Sequence, residues 1–234
     1  MLNLHWKKIS LILVLTISAY VANAQTKGTF NYLDFASKPY YFGITLAYNT
    51  SSFQPYQSSR FFTSDSIRGV ESLAGQGFNL GIVTNLKIGQ NFDFRFLPTL
   101  SFADRTLQYT TSNALVNKRI EAVFFEMPFH ARYKSDPYED LRIFVIGGVK
   151  YSFDVASKSR TRQDANLVKV TPTDFAVELG AGVQFFFPYF IFSPEIKFSQ
   201  GISNGLIYNR DLEFSSVLDK ILSRTFTISF HFEG

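Results

Sequence analysis

The stretch FDFRFLPTLSF, residues 92–102, decides the fold. Its large apolar side chains share one parity, and its charged and hydroxyl side chains share the other: Phe92, Phe94, Phe96, Leu100 and Phe102 against Asp93, Arg95, Thr99 and Ser101. Successive side chains of a β-strand point to opposite faces, so the stretch predicts a strand with one apolar and one charged face. A soluble sheet would bury the apolar face, whereas a membrane barrel turns it towards lipid and encloses the polar face.

Seven further segments repeat this alternation, so eight strands are predicted. They lie at about 40–49, 76–86, 92–109, 120–133, 141–154, 174–186, 190–200 and 224–232. The alternation is less clean after Asp104, which predicts a bulge in the third strand. Three phenylalanines, Phe124, Phe144 and Phe186, fall on the polar parity. Three prolines within strands, Pro98, Pro128 and Pro194, are interpreted as bulge or register points, because proline cannot donate to a ladder.

The connections between these strands alternate in length. Longer loops are predicted at 50–75, 110–119, 155–173 and 201–223, and shorter turns at 87–91, 134–140 and 187–189. Long outer loops and short periplasmic turns are typical of outer-membrane barrels, which also have an even strand number. The polar faces are rich in glycine and alanine, which a soluble sandwich does not require. The sequence therefore predicts an all-β fold, an eight-stranded antiparallel transmembrane β-barrel of the outer-membrane type.

The N-terminus predicts export from the cytoplasm. Lys7 and Lys8 precede the apolar run Leu11–Val21, and the small-x-small sequence Ala22-Asn23-Ala24 follows it. This combination indicates a signal peptide cut after Ala24, since the run is too short to span a membrane. We expect a signal peptide at 1–24, a periplasmic N-terminal segment at 25–39 that folds under the barrel or binds a partner, and the barrel at 40–234.

Composition narrows the function. Of the 234 residues, 46% are hydrophobic, 17% are aromatic, only 18% are charged and none is cysteine. The formal net charge of +4 is small and gives no reason to expect a nucleic-acid partner. A disulfide framework is excluded, and the histidines are too few and too scattered to predict a zinc site. No catalytic, metal or cofactor-binding residue is predicted.

Charged side chains on the polar parity are predicted to fill the lumen. An eight-stranded barrel is just wide enough for side chains to fill it, and buried charges require partners. The candidates for this ion-pair plug are Asp93, Arg95, Glu126, His130, Arg132, Arg142, Lys150, Glu178, Glu195 and Lys197. The alternative for the same residues is a path for a substrate or for protons.

Two groups of residues indicate contacts at the ends of the barrel. Basic residues in one predicted outer loop could meet lipopolysaccharide or an acidic partner: Lys158, Arg160, Arg162 and Lys169. Tyrosines near the predicted strand ends are typical of interfacial girdles: Tyr40, Tyr41, Tyr48, Tyr133, Tyr138, Tyr151 and Tyr189.

Four blocks of sequence resemble one family. They are YLDFASKPYYFGITLAYN (32–49), GFNLGIVTNLKIGQNFDFRFLPTLSF (77–102), FFEMPFHARYKS (124–135) and TFTISFHFEG (225–234), and together they span nearly the whole predicted mature chain. The chain resembles the PorT family of outer-membrane proteins of the Bacteroidota. The resemblance implies an accessory or assembly role in protein transport by the type IX secretion system and in the gliding motility that shares it. It implies no catalytic residue.

Three functions are therefore expected in order of preference. The first is a non-enzymatic outer-membrane component of a secretion apparatus, whose partners are outer-membrane lipids, lipopolysaccharide and other secretion proteins. The second is a lipid-acting barrel enzyme that uses His130. The third is a free-standing structural or adhesion barrel.

Overall fold

The computed structural model describes residues 31–63, 67–111, 114–155, 170–208 and 216–234. A short helix precedes nine strand segments: α1 (Tyr32–Ala36), β1 (Tyr40–Gln57), β2 (Ile67–Lys87), β3 (Phe92–Phe96), β4 (Thr99–Thr111), β5 (Leu115–Lys134), β6 (Leu141–Asp154), β7 (Thr173–Phe186), β8 (Ile191–Gly201) and β9 (Leu218–Glu233). A 3₁₀ turn, Ser59–Thr63, lies between β1 and β2. No helix in these ranges is long and apolar enough to cross a membrane.

The strands form one closed antiparallel sheet. Strands that follow one another in sequence pair, except β3 with β4, and β1 pairs with both β2 and β9, which closes the ring. Segments β3 and β4 both pair with β2 on one side and with β5 on the other, so they are two halves of one barrel strand. The molecule is thus the predicted eight-stranded barrel, and closure leaves no unpaired sheet edge within its wall.

The two faces of the barrel wall have opposite chemistry. Large apolar side chains are exposed on the outside, as shown by Phe42, Ile82 and Ile143, each more than half exposed. The charged side chains of the same strands are buried inside, where Asp93, Arg95 and Glu195 expose at most 1% of their surface. On β1 the apolar outer face runs from Tyr40 to Tyr48. Nine residues rise about 27 Å along the strand, or about 21 Å across a bilayer at a tilt of about 40°, close to the apolar band of such barrels.

Towards the outer end of several strands, the two faces of the wall exchange character: the outward side chains become polar and the inward side chains become apolar. On β4 the outward side chains change from Leu100 and Phe102 to Thr106 and Gln108, while the buried ones change from Ser101 to Leu107 and Tyr109. The change begins at one level, because Tyr48, Phe78 and Phe102 face one another across β1, β2 and β4. Beyond this level the wall resembles a soluble sheet, with its apolar side chains inside. These strands therefore extend past the hydrocarbon.

The extended strands correct the predicted boundaries. The predicted loops at 50–75, 110–119 and 201–223 contain the ends of β1, β2, β4, β5 and β9. The apparent loss of alternation after Asp104 is not a bulge in its own strand, because the odd-numbered residues of β4 stay buried from Thr99 to Tyr109. The register shift lies on the partner strand β2, between Ala74 and Gly77.

The strand prolines interrupt hydrogen bonding without shifting the register. Pro98 separates β3 from β4, yet Phe96 pairs with Phe129 and Thr99 pairs with Glu126 in one continuous register. Pro194 remains paired with Phe230. Pro128 likewise stays in register opposite Lys150, so the interpretation of the three prolines as bulge or register points was wrong. The effect of proline is limited to the local ladder.

The described residues form two hydrophobic clusters inside the barrel, one near each end. The outer cluster lies between the extended strands and the chain that joins β8 to β9, and it contains Phe53, Ile67, Val70, Leu107, Tyr109, Leu206, Val217, Leu218 and Ile221. The periplasmic cluster contains Phe35, Tyr41, Phe186 and Ile191, with Tyr32 packed against them. Helix α1 thus packs its buried Phe35 against the inner wall at the end where the short turns lie.

Candidate functional site: the lumen and its periplasmic mouth

Paired charges fill the lumen between the two hydrophobic clusters. Five acids, Asp93, Glu126, Glu178, Glu195 and Glu233, lie within salt-bridge distance of five bases, Arg95, Arg132, Lys134, Lys150 and Lys197. All ten side chains are at least nine-tenths buried. They alternate with outward apolar residues on β3, β5, β6, β7, β8 and β9, which is why one short sheet concentrates so many charges inside.

The charges nearest the periplasmic end form one connected group. Arg95 donates to Glu195 at 2.8 Å and to Glu233 at 3.0 Å. Arg132 donates to Asp93 at 2.6 Å, and Lys134 donates to the other oxygen of Asp93 at 2.5 Å. Arg132 and Glu233 lie 3.6 Å apart, which joins the two sets. Each charge has an opposite neighbour, as burial in a low dielectric requires.

A second group lies further along the lumen and centres on Glu178. His130 shares a hydrogen bond of 2.6 Å with Glu178, and the ammonium groups of Lys150 and Lys197 lie 3.5 and 3.3 Å from its carboxylate. Lys150 also donates to Glu126 at 3.0 Å. His231, on β9, lies 3.5 Å from Glu195 and so adjoins the first group.

Aromatic rings complete the lumen and explain the phenylalanines on the polar parity. The guanidinium groups of Arg95 and Arg132 lie 5.9 and 5.2 Å from the centre of the Phe144 ring. Further out, Arg105 lies 5.0 Å from the rings of both Phe53 and Phe124. A cation over a ring face is attracted to it, more strongly where water is excluded. Phe124 and Phe144 are therefore packing partners of the buried arginines.

Nine of the ten lumen candidates lie in these two groups. The tenth, Arg142, is buried at the periplasmic mouth, where it donates to the carbonyl oxygens of Ser135 at 2.6 Å and Gln90 at 2.7 Å. The outer-loop candidates Lys158, Arg160, Arg162 and Lys169 lie outside the described residues, as do the predicted signal peptide and residues 25–30.

Sequence reasoning missed Lys134, Glu233 and Tyr41. Lys134 was assigned to a turn although it continues the parity of His130 and Arg132, and Glu233 continues the parity of His231. Tyr41 was counted in the tyrosine girdle, but it is 2% exposed and contacts Arg132 and Asp93. Tyr40, Tyr48, Tyr133, Tyr138, Tyr151 and Tyr189 are exposed on the outside. Extending two of the predicted strands by one residue would have found Lys134 and Glu233, and the parity of Tyr41, which it shares with Gly43 and Thr45, already placed it inside.

Helix α1 narrows the periplasmic mouth. Asn31 donates to Asp140 at 2.9 Å, the amide of Tyr32 donates to the same carboxylate at 3.0 Å, and Lys87 donates to the carbonyl oxygen of Phe35. A cavity of about 620 Å³ remains between the helix and the inner wall. Within the described ranges, no cluster of three His, Asp or Glu side chains could hold a metal ion.

The family model for the outer membrane protein beta-barrel domain matches residues 23–206. The chain belongs to this family. It is accordingly an outer-membrane protein, and the apolar outer face and charged lumen are the two environments of a lipid-embedded wall. No curated protein matches the sequence significantly.

Several solved barrels are distantly similar to this outer-membrane barrel. Ail, the attachment invasion locus protein of Yersinia pestis, solved with the heparin analogue sucrose octasulfate, is 14% identical, and the match covers 84% of this chain and 100% of Ail at a TM-score of 0.36. Neisserial surface protein A is 10% identical, with coverage of 83% and 97% and a TM-score of 0.45. OprG from Pseudomonas aeruginosa is 10% identical, with coverage of 83% and 95% and a TM-score of 0.46.

Proposed function

We propose that this barrel is a non-enzymatic accessory or assembly component of a protein-secretion apparatus, the type IX system and its gliding machinery. The observation that carries the proposal is the resemblance of residues 32–49, 77–102, 124–135 and 225–234 to the PorT family. The filled lumen supports an accessory role, because ten paired charges and two hydrophobic clusters of the described residues occupy the space that a passing polypeptide would need. The barrel would then act through its surfaces.

Two surfaces are available for such a role. Helix α1 and the adjoining turns face the periplasm, and the extended ends of β1, β2, β4 and β5 project on the outer side. Outer-membrane lipids and lipopolysaccharide would surround the wall between them. The partners that we propose are other proteins of the secretion apparatus, and no nucleic acid is among them.

Deletion of the gene tests the proposal. Cargo with C-terminal sorting domains should accumulate in the periplasm of the deletant, and the wild-type gene should restore export. An unrelated outer-membrane protein, measured in the same fractions, controls for general damage to the envelope. Normal cargo export in the deletant would refute the proposal. Affinity capture of the tagged barrel should also recover secretion components, whereas capture of the barrel alone would favour a free-standing structural or adhesion protein.

The lipid-acting alternative receives a direct test through His130. This side chain is buried in the lumen against Glu178, whereas a lipid-acting nucleophile and its base would need access to the lipid face. A His130→Gln variant should leave the lipid A profile unchanged. Loss of a lipid A modification in that variant would contradict the proposed non-enzymatic role.

A further inference from the structure

The cavity at the periplasmic mouth has the size of a ligand site. Its volume of about 620 Å³ falls within the range of about 300–1,000 Å³ that is usual for small-molecule pockets. Its walls come from α1 and the segment after it, the start of β1, the turn between β2 and β3, and the inner face of the barrel. Side chains of the inner face, such as Gln184 and Ile191, are buried in the barrel and point away from lipid.

The charged residues of the cavity wall all carry one sign. Lys38, Lys87, Lys134 and Arg142 line the cavity, and none of the described residues that line it is an acid. Lys134 is neutralised by Asp93, which lies deeper in the lumen. Lys87 and Arg142 instead donate to carbonyl oxygens, of Phe35 and Ala36 and of Ser135 and Gln90 respectively. Neutral acceptors do not compensate their charges, so the cavity favours an anion.

The uncharged part of the cavity wall is mixed, with apolar residues beside the polar Ser37, Gln90 and Gln184. Its accessible apolar surface comes from Tyr32, Ala36, Pro39 and Pro137, whereas Phe35, Tyr41, Phe186 and Ile191 are buried, each at most 6% exposed. A simple inorganic anion would leave this surface without contact, whereas an anion that carries an apolar group would use both parts of the wall. A phospholipid is disfavoured, because its acyl chains lie in the hydrocarbon outside the barrel, whereas the inner face of the wall lines the cavity.

We infer that the periplasmic mouth binds a small, water-soluble carboxylate that carries one apolar group, the chemistry of the last residue of a peptide. Lys38 and Lys87 attract the carboxylate, and Tyr32, Ala36 and Pro39, which line the cavity and are not buried, contact the apolar group. This site is independent of the proposed secretion role and would exist in a barrel of any function.

The test compares two probes that differ only in charge. N-acetylphenylalanine and N-acetylphenylalaninamide are titrated into the purified mature barrel in detergent, and binding is followed by calorimetry or by ligand-observed NMR. We expect the acid to bind about tenfold or more tightly than the amide, as one charge-assisted hydrogen bond allows. Inorganic phosphate should not displace the acid, because it lacks the apolar group.

Three variants locate the binding. Lys38→Gln and Lys87→Gln should each weaken binding of the acid several-fold, and Lys220→Gln, whose lysine lies over Tyr56 at the outer end, should leave it unchanged. Lys38 is exposed, so its substitution preserves the fold even if Lys87→Gln disturbs α1. Heat-dependent gel mobility verifies that each variant is folded. Equal affinity for acid and amide, equal loss in Lys220→Gln, or displacement of the acid by phosphatidylglycerol would each overturn the inference.

Discussion

Single residues inside the lumen depart from the simple alternation for identifiable reasons. Phe144 breaks the parity of β6 because the lumen requires a ring beneath Arg95 and Arg132. The sequence shows such a phenylalanine as an irregularity, since parity reports the face of a strand and not the contents of the lumen. The pairing of particular charges is likewise absent from the sequence, because the partners of Arg95 lie 100 and 138 residues away.

Removal of the Arg95 side chain should lower the free energy of unfolding. In an Arg95→Met variant, Glu195 and Glu233 lose the guanidinium group that now lies within 3.0 Å of both. Breaking a buried ion pair in this way costs about 3–5 kcal/mol. Urea unfolding in lipid vesicles, followed by circular dichroism, measures the loss. The matched control is Arg224→Met, which removes an exposed arginine that contacts Gln54 and Gln200 and should change stability by less than about 0.5 kcal/mol. Equal stability of the two variants would contradict the ion-pair plug.

Gly182 makes room for Phe144. A β-carbon at this position would overlap the Phe144 ring, whereas a β-carbon at Gly147 would meet only the side chain of Leu179 at an ordinary 3.5 Å. Gly182→Ala should therefore destabilise the barrel by about 1–3 kcal/mol through overpacking, and Gly147→Ala should stay within about 0.5 kcal/mol of the wild type. The same unfolding assay distinguishes them, and a neutral Gly182→Ala would show that the ring does not occupy this position.

At the level of the strand, the sequence predicts the membrane-spanning part of each strand but not the part that extends beyond the membrane. Within the hydrocarbon the predicted spans agree closely with the structure, as in β6, where both are 141–154. Beyond it the alternation continues but the faces exchange chemistry, so that β4 appears irregular after Asp104 although its geometry is unchanged. A rule that always assigns the apolar parity to lipid fails where a strand leaves the bilayer, because the apolar side chains then point inwards.

Two arginine substitutions on one face of β9 test this exchange. Ile228 and Leu222 both point outwards, but Ile228 lies in the apolar band, while Leu222 lies beyond it, next to Arg224. Ile228→Arg should cost about 1–2 kcal/mol more than Leu222→Arg, because the charge at 228 faces hydrocarbon near the outer limit of the band, whereas Leu222→Arg should cost no more than about 1 kcal/mol. Folding yields in vesicles and urea midpoints report the difference. Similar losses of stability at the two positions would contradict the exchange, because both side chains would then face the same environment.

At the level of the whole molecule, the barrel is closed by its own side chains. The closed eight-stranded fold follows from alternation and loop lengths, and a filled lumen follows from the strand number. The periplasmic cavity cannot be predicted from the sequence. It depends on how α1 folds back against Phe186 and Ile191, and a five-residue helix has no distinct sequence pattern.

A filled lumen predicts that the barrel does not conduct ions. The purified mature protein, inserted into planar bilayers, should give no reproducible conductance steps, because paired charges and the outer hydrophobic cluster occupy the lumen. An open porin under the same conditions is the positive control. Regular steps would restore the alternative of a substrate or proton path through the lumen.

The exchange of faces along β4 is tested most directly by spin labels at single cysteines, since the chain has no cysteine of its own. Labels at 100 and 102 should be accessible to oxygen in the bilayer, those at 106 and 108 to a water-soluble nickel reagent, and those at 101 and 107 should be immobile and accessible to neither. Oxygen accessibility at 101 and immobile labels at 100 and 102 would contradict the account, because the apolar face would then be buried in protein and not in lipid.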